Sequence, residues 1–106
     1  MLDGPFEILE LGDRQSIELT VQDFILGDIM IHPRFAGAPA EKRIHGLRIV
    51  VPMSTKPIGP NYYDITSQTL IVQMQPFLSD LKSKKGKVKI TAFGFAPSKR
   101  FTVEML

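Results

Sequence analysis

Spacing of apolar residues constrains this chain more than anything else. Along most of its length they recur at every second position, and along one stretch only at helical spacing. Ser16-Ile17-Glu18-Leu19-Thr20-Val21 alternates cleanly, which places Ile17, Leu19 and Val21 on one face of a half-buried strand. Lys87 to Phe95 repeats the pattern, with Val88, Ile90 and Ala92 on one side and Lys87, Lys89, Thr91, Phe93 and Phe95 on the other. Ala96-Pro97-Ser98 reads as a turn, and Arg100 to Met105 returns with Phe101, Val103 and Met105 on one face, so a hairpin is predicted. Ile44 to Val51 is rich in β-branched residues and closes at Pro52. Phe24-Ile25-Leu26 runs into a turn signal at Gly27-Asp28, after which Ile29 to His32 resumes in extended form. Phe6 to Leu11 has the makings of a short strand ended by Gly12-Asp13.

Leu70, Met74, Phe77, Leu78 and Leu81 form the one helical stripe and read as core. Thr66 or Ser67 can cap its start, Lys82, Lys84 and Lys85 suit its last turn, and Gly86 suits its C-terminal stop. Pro76 interrupts the stripe. It predicts either a kink or a helix that begins near Pro76, with Thr69 to Met74 extended. Residues 33–43, rich in Pro, Gly and Ala before Glu41-Lys42-Arg43, read as an exposed arm or loop, and residues 53–60 as a linker-like loop.

Three strands, a helix and two strands give a mainly β fold with one helix (α+β) in the order β-β-β-α-β-β. That is the connectivity of an OB-like five-stranded barrel, closed so as to remove exposed edges. A split ferredoxin-like sandwich would need a second helix within residues 1–60, where Gly, Pro and alternation stand against one. A sheet covered by a lone helix is the other alternative. The 106 residues suit a single domain.

The absence of Cys excludes a disulfide scaffold, a thiolate metal site and a cysteine nucleophile. His32 and His45 are the only histidines and have no acid at a fixed spacing, so neither a metal site nor a general base is expected. Phosphate-loop and catalytic-triad patterns are lacking, and Asp64 and Glu104 are too scattered to support a metal-dependent nuclease. The expectation is a non-enzyme without cofactor. No apolar run approaches a membrane span, and the start carries acids where a secretory leader carries bases, so a cytoplasmic protein of cellular or viral origin is expected.

Charge is lopsided. Residues 1–30 hold seven acids against Arg14, a net charge of −6, whereas residues 31–106 hold twelve bases against four acids, a net +8. Such asymmetry suits a basic face for a polyanion, or else segments of opposite sign that pair within the fold. The last hairpin favours the first reading. Lys87, Lys89, Phe93 and Phe95 share one face, and Lys99 and Arg100 follow the turn. Cations that track phosphates and rings on which bases stack are what single-stranded nucleic acid requires. The alternative places Phe93 and Phe95 in the core, with Gly94 marking a bulge. Arg34, Phe35, Lys42 and Arg43 around the arm, and Tyr62 before the helix, are further candidates for the surface. Tyr62 and Tyr63 are adjacent, so alternation buries one and exposes the other.

Asp64-Ile65-Thr66 before the helix, Lys87-Val88-Lys89-Ile90-Thr91, Phe93-Gly94-Phe95 and Lys99-Arg100-Phe101-Thr102-Val103 together resemble the end of small OB-fold single-stranded DNA-binding proteins of phages and archaeal viruses. The resemblance covers residues 64–104. It implies binding of single-stranded DNA, with RNA as the second choice, without sequence preference, with Lys87, Lys89, Phe93, Phe95 and Arg100 matching the family's basic and aromatic face; such families often form homodimers. A protein–protein interaction module, such as a small subunit or virion component using the arm and the Phe93/Phe95 face, is the competing expectation.

Overall fold

The computed structural model describes residues 2–32, 36–95 and 98–106. Its elements run β1 (Ser16–Thr20), β2 (Asp23–Ile31), β3 (Lys42–Val50), β4 (Tyr62–Ile65), α1 (Gln68–Met74), α2 (Leu78–Lys84), β5 (Lys87–Phe93) and β6 (Arg100–Met105). They form two antiparallel three-stranded sheets, ordered β1-β5-β6 and β2-β3-β4. The fold is mainly β with one interrupted helix.

Only Val21 and Gln22 separate β1 from β2. Val21 N–H donates to the Gly86 carbonyl at the end of the first sheet, and Gln22 N–H to the Val50 carbonyl in the second, both at 2.9 Å. β1 and β2 are therefore halves of one bent strand shared by both sheets. β2 continues straight through Gly27-Asp28, correcting the turn expected there. Cross-strand pairing with Gly46 and His45 outweighs the local turn preference, as tertiary context commonly does.

The inner faces of β1 and β5 follow the predicted alternation, and β3 and β4 add Leu47, Ile49 and Ile65. Leu19, Val21, Leu47, Ile49, Ile65, Val88 and Ile90 pack with Leu70, Ile71, Met74, Leu78 and Leu81 in one buried cluster. Pro76 sits in a 3-10 turn (Gln75–Phe77) between α1 and α2, so the predicted kink is present and Thr69 to Met74 is helical. The kink turns Phe77 outward, to 41% exposure, removing it from the expected core stripe. Ser67 caps α1 by accepting the Leu70 N–H at 3.3 Å. At the other end Lys85, not Gly86, takes the left-handed conformation (φ 51°), while Gly86 N–H closes onto the Leu81 carbonyl at 2.8 Å.

The expected closed five-stranded barrel is not formed. Among the described residues there are six strands, and no pairing joins β4 to β6. β4 is four residues long, and its outer edge is already occupied by Glu7–Leu9. Asp64 N–H donates to the Glu7 carbonyl at 2.7 Å, and Leu9 N–H to the Asp64 carbonyl at 2.9 Å. Phe6 to Leu11 is thus no strand. It belongs to an N-terminal strap that makes a single parallel bridge, Ile8 to Asp64. No helix is long and apolar enough to cross a membrane.

Candidate nucleic-acid interface

Register places the predicted residues of β5 and β6. On the outer face of the first sheet, Lys89 lies between Glu18 of β1 and Glu104 of β6, Thr91 between Ser16 and Thr102, and Phe93 opposite Arg100. Val88, Ile90 and Ala92 on the other face are fully buried. Phe93 and Phe95 are 43% and 71% exposed, so neither belongs to the core. Gly94 between them has φ +80°, which a side chain rarely tolerates, and its N–H donates to Asp13 Oδ1 at 2.7 Å. That bond ties the 12–15 turn to the end of β5. Arg14 N–H donates to the Ala92 carbonyl at 2.8 Å, bringing an exposed arginine, unanticipated from sequence, to this end. The only hint had been the Gly12-Asp13 turn signal beside it.

Other predicted members are not assembled there. Lys87 is exposed at the far end of β5, about 20 Å from Phe93 at strand rise. Lys89 has Glu18 and Glu104 as its cross-strand neighbours, so the middle of this face is of mixed charge rather than basic. Lys99 turns its ammonium to the Leu11 carbonyl at 2.6 Å and is half-buried. Lys42 and Arg43 are exposed on the other sheet, where β2 and β3 project as a ribbon beyond the reach of β4. Arg34 and Phe35 lie outside the described residues.

Tyr62 is corrected as a stacking platform. Its ring lies under the Arg48 guanidinium, 4.0 Å from centroid, and its hydroxyl donates to the Pro5 carbonyl. Arg48 in turn donates from Nε to Asp64 Oδ1 at 2.8 Å, from Nη2 to Asp64 Oδ2 at 3.2 Å, and from Nη2 to the Asp3 carbonyl at 2.8 Å. Asp64 is fully buried and also accepts the Glu7 N–H at 2.9 Å. Hydrogen bonding to Asp64 holds the Arg48 pKa above its ordinary value, although burial acts against it. Such a pair retains its charge because, among the described residues, no buried side-chain donor or acceptor is left without a partner. Tyr63 packs against the core, so both tyrosines are half-buried rather than one being open.

The strap's acids meet the basic remainder of the chain. Glu7 lies 3.8 Å from Lys56, and further along Asp23 lies 3.0 Å from Lys82. That hydrogen bond holds Asp23 below the usual carboxylate range. Among the described residues, two of the seven acids of residues 1–30 thus pair with lysines of the remainder, so pairing within the fold accounts for part of the charge asymmetry. The histidines stay apart in function: His32 Nδ1 contacts the Ala40 carbonyl at 3.1 Å, and His45 Nδ1 lies 4.0 Å from Asp28.

The arrangement offers two exposed rings beside two arginines at one end of a sheet, and a ribbon bearing two more cations on the other sheet. Compared with protein-family models, curated proteins and solved structures, the chain matches none.

Proposed function

We propose that this protein binds single-stranded nucleic acid, DNA before RNA, without sequence preference, through the Phe93, Phe95 and Arg100 end of the β5–β6 hairpin. The observation that carries this reading is the exposure of Phe93, at the end of a strand whose opposite face is wholly buried, together with that of Phe95 just beyond the strand. A pair of open rings beside a guanidinium suits base stacking with phosphate contact. Connectivity supports it. With β1 and β2 taken as one bent strand, the order is β-β-β-α-β-β, that of a partly open OB-like fold. OB-folds engage oligonucleotides on the outer face of their second and third strands and on the loops after the first and fourth. Here the corresponding face, that of β3 and β4, is covered by the strap. The described residues that flank the two loops are exposed: Phe93, Phe95 and Arg100 beside one, and Lys42 and Arg43 beside the other.

The test is fluorescence anisotropy of labelled oligo-dT at two salt concentrations. Binding should weaken as salt rises, with a slope of about −0.7 per phosphate neutralised. Phe93→Ala and Phe95→Ala should each cost ~1–3 kcal/mol of binding. Absence of binding at low salt sinks the reading. The alternating charges of Glu18, Lys89 and Glu104 favour the competing reading, an interaction module without nucleic acid, and that result would turn attention to it.

A further inference from the structure

β6 is an edge strand. It pairs with β5 on one side and, among the described residues, with no strand on the other. Leu106 N–H donates to the Lys87 carbonyl at 2.9 Å, so in β6 the even-numbered residues direct their backbone groups toward β5. Phe101, Val103 and Met105 direct theirs outward, to the free edge. Edges of this kind are templates for another strand unless they are blunted.

The sequence of β6, Arg100-Phe101-Thr102-Val103-Glu104-Met105, is complementary to itself when reversed about Thr102. We infer that two copies of this chain pair antiparallel along β6, with the two-fold axis at Thr102, to make one continuous six-stranded sheet. In that register Arg100 stands opposite Glu104 of the second copy, Thr102 opposite Thr102, and Phe101 opposite Val103. Backbone parity agrees. Phe101 and Val103 both point outward, so each such pair exchanges its N–H and carbonyl bonds, as a hydrogen-bonded antiparallel pair requires.

Two independent features fit the same register. Across the outer face the charges alternate: Glu18, Lys89 and Glu104 in one copy, then Arg100 of the second, which itself lies opposite Phe93 of its own β5. Any register that set like charges opposite would be penalised. On the inner face, Met105 is 47% exposed and Leu106 59% exposed, although Met105 lies on the core-facing side of its strand. The pairing sets Met105 opposite Lys99 of the second copy. Lys99 lines a groove with Leu9, Leu11, Leu70 and Phe101, where the strap and the start of α1 face β6. Among the described residues, Gln73 is the side chain bonded to the backbone of this edge, donating to the Phe101 carbonyl at 3.1 Å. Its side chain is exposed, and the carbonyl has a second lone pair to share.

The experiment is sedimentation equilibrium without nucleic acid, so its outcome is separate from that of the binding test. The wild-type chain should pass from the 11.9 kDa monomer to twice that mass as concentration rises. Arg100→Glu and Glu104→Arg should each weaken the dimer about tenfold or more, because each sets like charges opposite at both ends of the ladder. The double variant Arg100→Glu/Glu104→Arg should restore it. Thermal melts of the same variants separate a folding defect from a lost contact. A chain that stays monomeric, a single reversal that leaves the dimer intact in a folded protein, or a double variant that does not recover would each overturn the proposal.

Discussion

Asp64 does more for this fold than any other polar side chain. It has no exposed surface, receives two bonds from Arg48, and fixes the strap through the Glu7 N–H. Asp64→Ala leaves a buried guanidinium without its partner, and chemical denaturation should register a loss of ~3–5 kcal/mol. Replacing both Arg48 and Asp64 with apolar residues should cost much less, since neither charge is then stranded. Gly46 is constrained differently. A Cβ there would press on Cδ1 and Cγ1 of fully buried Ile29, so Gly46→Ala should destabilise by ~1–3 kcal/mol through overpacking. Phe93→Ala is the opposite case. The ring is substantially open, so its thermal melt should stay close to that of the wild type while binding falls. A loss of ~3–5 kcal/mol would mean that Phe93 belongs to the core after all.

At the scale of elements, α2 ends on a residue ill-suited to its backbone. Lys85 is left-handed at φ 51°, and its ammonium reaches the Gln22 carbonyl at 3.2 Å. Lys85→Gly removes the Cβ penalty but frees the unfolded chain and loses that bond, so a small gain, about 0.5 kcal/mol, is expected from thermal denaturation. The helical stripe at 70, 74, 78 and 81 and the inner face of β5 at 88, 90 and 92 were legible from periodicity, whereas Phe77 of the same stripe is turned outward by the kink at Pro76, one of the two outcomes that this proline allowed. β4 was not legible. Tyr62-Tyr63-Asp64-Ile65 is too short for a period, and its outer face is an ion pair with Arg48, sixteen residues earlier, which no local pattern announces. The strap escaped for the same reason, since its partners are backbone carbonyls and a distant carboxylate. Of the candidate site, alternation put Phe93 on the face opposite Val88, Ile90 and Ala92, but it left open which face is exposed, and the burial of those three residues decides it. The acidic neighbours of Lys89 did not follow from alternation, because Glu18 and Glu104 come beside it only through cross-strand register. Tyr62 was misjudged because a ring's availability depends on what lies over it.

At the scale of the molecule, the two sheets share a covalent strand at Val21-Gln22. β2, β3 and β4 pair successive segments, but Ser16 meets Thr91, seventy-five positions along the chain. Contacts so distant in sequence are slow to form, because the intervening chain must first be ordered. Refolding should therefore fall in the millisecond-to-second range of β-rich domains rather than the microsecond range of helical ones, as stopped-flow measurements can check. The bend also has a consequence for synthesis. While the ribosome still holds the last residues, β2 to β4 can assemble, yet β1 has nothing to pair with and half of the shared strand waits. A nascent chain halted before Lys87 should expose Leu19 and Val21 to proteases and chaperones. Release of β5 should then protect them abruptly, in step with the whole first sheet.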